Sequence, residues 1–252
     1  MIELSPVMRF GLLLVRPGMV MLLAPGFGGT YAPARIKIGL TALIGIALMP
    51  SVGSLPIGDS LPLVLIVVRE IAIGAALALG VQILVAGAEF AGHLAGHQMG
   101  LSYGATVDPQ SGVRNPLLSV LFANIAVMTF LMIDGHHAVL RALRQSYLDL
   151  PVGMGSVNAS LAQSIAGLLG IVFSLGVRLV APVVLVLVLV EIAMALLARS
   201  APMLNLNAAG APVRLVVGLL MLAVMVPAVA SVVAGAASTV LRAAVQLAGA
   251  LH

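Results

Sequence analysis

The chain has 252 residues, of which 62% are hydrophobic and 8% charged, whereas an ordinary soluble domain carries about 25% charged residues. With 12 basic and 8 acidic side chains and a mean hydropathy of +1.21, it has too few charges to cover a soluble globule of this length. A disordered chain, a disulfide-stapled secreted domain and a soluble enzyme are therefore excluded, which leaves an integral membrane protein. Cysteine is absent, so there is no thiolate metal site and no thiol chemistry. The net charge of +4 comes mainly from scattered arginines, with Lys37 the only lysine; that is no nucleic-acid patch.

Six apolar stretches follow one another, at about 7–24, 36–50, 61–86, 117–133, 165–198 and 213–234. A helix needs about 20 apolar residues to cross a hydrocarbon core of about 30 Å. The pattern predicts an all-α integral membrane protein of about six long, partly kinked helices. Arg16-Pro17 interrupts the first stretch, and no cleaved leader is expected there. The fifth stretch is too long for one crossing, since a straight helix over 165–198 would run about 50 Å. It contains Arg178, Pro182 and Glu191, which predicts a kink or a projection beyond the bilayer. Under strict alternation Arg35, Lys37, Arg114, Arg199 and Arg214 fall on one side and Arg9, Arg141, Arg144 and Arg242 on the other, so the positive-inside rule gives no orientation. Arg16, Arg69, Glu70, Arg178 and Glu191 lie within apolar stretches, where an ionisable group is costly and a functional candidate. Arg69 and Glu70 are adjacent and would suit a pair at a helix end. Trp is absent and Tyr occurs three times, so aromatic belts are nearly missing. With 27 glycines that favour close helix approach, this predicts helices wrapped largely by other protein. A Gly/Ala-rich genome would produce the same composition.

Residues 87–116, GAEFAGHLAGHQMGLSYGATVDPQSGVRNP, are the least lipid-like long stretch. Ala88, Gly92, Gly96, Gly100 and Gly104 recur every four residues, a small-residue stripe for which Gly92, Gly96 and Gly100 are the helix-packing candidates. Glu89, His93 and His97 share a neighbouring face. They resemble a metal-binding face, but the simpler reading is a polar stripe against another subunit. Gly100-Leu-Ser102-Tyr-Gly104 matches G-x-S-x-G, a motif that works on a strand-turn-helix for which no periodicity is visible. Beyond Gly104 the turn formers Asp108-Pro109, Gly112 and Asn115-Pro116 predict a loop over about 105–116. A stand-alone six-helix secondary transporter and an intramembrane protease stay open on these residues, although a transporter would be expected to show an internal repeat and none is convincing.

Other motifs recur in a fixed order. His97-Gln-Met-Gly-Leu-Ser-Tyr-Gly-Ala-Thr-Val-Asp-Pro-Gln-Ser-Gly-Val-Arg-Asn-Pro-Leu-Leu118 is preceded by Arg16-Pro17, Pro25-Gly26-Phe27 and Pro33-Ala-Arg35-Ile-Lys37-Ile-Gly39-Leu. It is followed by Asp134-Gly135-His136-His137, Ser146-Tyr147, Leu150-Pro151-Val-Gly153, Ala181-Pro182, Glu191, Ala198-Arg199-Ser-Ala201-Pro202, Asn205 and Pro212 to Gly218. This series resembles the FliR family, the flagellar type III export-gate membrane subunit, called SctT in injectisomes. The chain departs from the family pattern at His93, Glu191 and Met203. The resemblance implies a non-enzymatic core subunit of the flagellar export gate, in the bacterial inner membrane at the flagellar basal body. Such a subunit, present in one copy, would form with FliP and FliQ the channel that receives unfolded export substrates, with FlhB and FlhA as further partners and lipid around it. No catalytic residue, cofactor, metal or nucleic acid is implied. Residues 1–160 would be FliP-like and 161–252 a FliQ-like helical hairpin. Gly104, Ala105, Thr106, Val107, Asp108, Pro109, Gln110, Ser111, Gly112, Val113, Arg114 and Asn115 would match the family's pore-plugging loop.

Overall fold

The computed structural model describes residues 6–26, 33–52, 62–101, 117–152, 160–200 and 206–249. Every regular element among them is an α-helix: α1 (Pro6–Leu23), α2 (Ala34–Val52), α3 (Leu63–Gln98), α4 (Leu117–Met132), α5 (Gly135–Asp149), α6 (Ser160–Ser200) and α7 (Leu206–Gly249). Six of these coincide with the six apolar stretches. The seventh, α5, has the polar sequence GHHAVLRALRQSYLD and is invisible to a search for apolar runs. By length and composition, α3, Ala166–Ser200 of α6 and Gly210–Val245 of α7 are able to cross a membrane. The bent pair α4–α5 would be a fourth crossing.

The ends and bends have local causes. At the C-terminus of α3, Leu101 N–H donates to Gly96 O at 3.0 Å and Gly100 N–H to His97 O at 3.1 Å. With Gly100 at φ 78°, this is a Schellman motif, in which glycine takes the left-handed position without a Cβ penalty. Between α4 and α5 the axis turns by 69°. Asp134 sits there at φ 57°, ψ 29°, a left-handed conformation that Asp tolerates better than most residues. Its carbonyl accepts from His137 N–H at 3.0 Å and Ala138 N–H at 3.2 Å, starting the new helix. Gly135 follows because a Cβ there would lie 2.3 Å from the Phe130 ring. By contrast α6 is one unbroken helix of 41 residues with Pro182 inside it. At 1.5 Å per residue it runs about 60 Å, twice the hydrocarbon thickness.

The chain forms two compact units, one of residues 1–84, 130–171 and 237–252, the other of 85–129 and 172–236. In the first, α1 packs along α2, which also touches α5. Its buried residues include Val20, Met21, Ile66, Ile73, Phe130 and Leu143. The second buries Ala91, Ala95, Met99, Phe122, Val183 and Leu187. Here helices approach closely through glycine: a Cβ at Gly176 would stand 2.4 Å from the Phe90 ring, and one at Gly87 2.8 Å from Leu175. Phe90 itself stacks at a tilt on Phe173, with centroids 5.8 Å apart.

Candidate functional site

The most elaborate polar arrangement among the described residues lies in the first unit and centres on Arg16. Its side chain is fully buried, and Glu70 beside it is 1% exposed. A charge so placed is tolerated only if it is paired and its donors are satisfied. Arg16 meets both conditions. Nε donates to Glu70 Oε2 and Nη2 to Glu70 Oε1 at 3.1 Å, the two-pronged geometry in which guanidinium and carboxylate fit best. Nη1 donates to Ser146 O at 2.8 Å and Ser146 Oγ at 3.3 Å, and Nη2 to Leu150 O at 2.7 Å. All five N–H donors of the guanidinium are thereby used. Its face also lies 4.5 Å from the centre of the Tyr147 ring, a cation–π contact.

Two helices supply the partners, each for a local reason. The carbonyls come from the C-terminal end of α5, where the dipole favours a cation: Ser146 O, in the last turn, accepts from Arg16 in addition to Leu150 N–H at 3.0 Å, and Leu150 O lies at the cap, beyond the last intrahelical donor. Glu70 comes from α3, and Gly74 one turn later lets α3 approach: a Cβ there would lie 2.8 Å from Arg16 O. Pro17 contributes through what it lacks. Having no N–H, it leaves Leu13 O without its i→i+4 donor, and Tyr147 Oη donates to that same carbonyl at 2.7 Å. Ser146 Oγ in turn donates to Leu143 O at 2.7 Å. The result is a polar clamp joining α1, α3 and α5. Its donors and acceptors saturate one another.

The residues singled out from sequence fall as follows. Glu70 is in the clamp, paired with Arg16 and not with its neighbour Arg69, which is half-buried. Arg178 is exposed on α6. Glu191 is partly exposed and accepts from Arg214 Nη1 at 2.9 Å, bridging α6 and α7. Gly92 faces α4, where a Cβ would lie 2.5 Å from Leu118 O and Ser119 Cα. Gly96 leaves room, its nearest neighbour being Leu118 Cδ1 at 3.8 Å, and Gly100 lies beyond the helix end. Glu89, His93 and His97 are exposed along α3. Ser102 and the whole loop from Gly104 to Asn115 lie outside the described residues. A different group does gather, because Asp134, His136 and His137 hold their ligand-type atoms within 4.8 Å of one another. Arg16 stood out from sequence only as a charge in an apolar run next to proline, and nothing local indicated Ser146, Tyr147 or Leu150 as its partners.

Comparison with known proteins adds a second line of information. The chain matches the family described as bacterial export proteins, family 1, over residues 7–240. It is similar to the flagellar biosynthetic protein FliR of Escherichia coli strain K12, at 32% identity over 211 residues, 82% of this chain and 80% of that protein. It is also similar to FliR of Pectobacterium carotovorum, 32% identical over 208 residues (81% and 78%), and of Bacillus subtilis strain 168, 28% identical over 229 residues (88% and 87%).

Proposed function

Because this chain belongs to the FliR family of bacterial export proteins, we propose that it is a core subunit of the flagellar protein export gate, assembling with FliP and FliQ subunits around a channel for unfolded substrates. The observation that carries the reading is the family match across residues 7–240, which spans nearly every described helix. The coarse statement follows from that match together with the long apolar helices: the chain is a membrane-embedded component of flagellar export. Its work is structural and conductive, and no catalytic step is assigned to it.

Physical features support the finer reading. The apolar windows of α6 and α7 are each only 22% buried within the chain, against 50% for α3. Leu185, Leu189, Leu196, Leu219, Leu220 and Val224 are all exposed. Such faces are covered by lipid or by apolar helices of other subunits. In the proposed assembly 1–160 plays the FliP-like part and 161–252 the FliQ-like hairpin. Residues Gly104–Asn115 close the resting channel, since a passage wide enough for an unfolded chain must hold back ions. Substrate opens it if its contacts favour the displaced loop by a few kcal/mol. FlhB and FlhA are the expected neighbours, in the inner membrane at the basal body.

The test is native mass spectrometry of the tagged chain, co-expressed with FliP and FliQ and extracted in mild detergent. One copy of this chain within a large mixed complex is the expected result. A lone monomer or homodimer under the same conditions would overturn it. Ser102→Ala should leave flagellar export unchanged, and loss of activity from that substitution alone would point to a protease.

A further inference from the structure

A shallow groove in the first unit, between α2 and α5, is lined by Leu48, Asp134, His137, Leu140, Arg141 and Arg144. We propose that this groove binds the phosphate headgroup of an anionic phospholipid. His137, Arg141 and Arg144 stand at i, i+4 and i+7, one stripe of a helix. The opposite side of α5 is buried through Val139, Leu143, Ser146 and Tyr147. Arg141 and Arg144 are exposed, and neither forms an ion pair with any described residue. Among the described residues Asp134 is the one acid lining the groove, and its carboxylate is engaged by His137 Nδ1 at 3.3 Å and His136 Nε2 at 4.0 Å. A divalent cation held by these three residues would have two guanidinium charges lining the same groove against it. An anion would have them in its favour.

The surroundings select an amphiphile over a free anion. Leu48 and Leu140 line the groove itself, Ile46 and Met49 are exposed along α2, and Met132 and Ile133 are exposed just before the bend, Met132 at 85%. A polar, cationic strip thus borders an apolar surface, the arrangement with which basic pockets of membrane proteins hold anionic headgroups.

The test is native mass spectrometry of the full chain in nonionic detergent, titrated with phosphatidylglycerol and, separately, phosphatidylcholine of the same chain length. Phosphatidylglycerol should be retained preferentially. Arg141→Gln with Arg144→Gln should weaken its binding about 25-fold, about fivefold per arginine. Arg9→Gln with Arg242→Gln, which removes two exposed arginines outside the groove, should leave it unchanged. Arg141→Lys with Arg144→Lys should keep most of the preference. Equal retention of both lipids by the unaltered chain would overturn the proposal without recourse to any variant. So would displacement of phosphatidylglycerol by millimolar inorganic phosphate, which would identify a plain anion site. Zn2+ binding that is lost in His137→Ala, with no lipid preference, would make the groove a metal site instead. If the glutamine pair abolished co-purification of a partner protein while lipid retention stayed intact, the groove would be a protein-docking surface.

Discussion

At the scale of single residues, the clamp around Arg16 explains an Arg-Pro in the middle of an apolar run. The arginine is affordable because Glu70 neutralises it and three backbone or hydroxyl acceptors take its remaining protons. Arg16→Met would strand the Glu70 carboxylate in the core, and breaking a buried pair by removing one partner costs about 3–5 kcal/mol. A loss of that size is expected in equilibrium unfolding of the detergent-solubilised chain, and a loss below about 1 kcal/mol would show that water reaches the pair. The proline and the tyrosine form a second, separable unit. Tyr147→Phe leaves a buried carbonyl without a donor, which costs about 1–3 kcal/mol. In a Pro17→Ala background the new N–H reaches Leu13 O, so the same tyrosine change should cost clearly less, and a double-mutant cycle reads the difference as coupling. Additive effects would break the link between Pro17 and Tyr147. The adjacency of Arg69 and Glu70 pointed to the wrong pairing for a simple reason: consecutive helical residues do not share a face, so Glu70 turns inward to α1.

At the scale of elements, the small-residue repeat of α3 separates into positions with different surroundings. Gly92 touches the backbone of α4, Gly96 has ordinary space, and Gly100 ends the helix. Gly92→Ala is expected to destabilise by about 1–3 kcal/mol through overpacking, because backbone atoms at 2.5 Å cannot swing away. Gly96→Ala is expected to be neutral or to stabilise by up to about 1 kcal/mol through helix propensity. Thermal unfolding of the two variants side by side checks the sign, and equal losses would refute the distinction. The polar helix α5 is amphipathic, and it forms because Asp134-Gly135 bends the chain path by 69° and α1 and α3 supply the site that receives its C-terminus. Its apolar residues are too sparse to register as a membrane-type run. Their spacing acquires meaning only against the helices they face.

At the scale of the whole molecule, α6 and α7 are longer than a bilayer is thick and present exposed apolar side chains over much of their length. Such helices fit a subunit that finds its stability in an assembly, the setting proposed for it. Within that proposal the segment Gly104–Asn115 governs leakage rather than assembly. Deleting 106–113 should leave the mixed complex intact on native mass spectrometry and raise the small-ion conductance of membranes that contain it. An intact complex with unchanged conductance would sink the plug assignment.

Membrane class, helical architecture and family were legible in the chain alone, because they depend on features carried locally or repeated along it: few charges, apolar runs of helical length, turn formers between them and an ordered set of motifs. The six apolar helices could be placed for the same reason, since burying apolar side chains dominates the energetics of each segment regardless of its neighbours. The partners of Arg16 were decided in three dimensions. Glu70 is 54 positions away, Ser146 130 and Leu150 134, and no periodicity connects residues so far apart. The same holds for the groove of α2 and α5, which Leu48 lines together with Arg141 and Arg144 from a helix nearly a hundred residues later. A charge in an apolar stretch tells only that a partner must exist; which partner depends on the helices that pack around it.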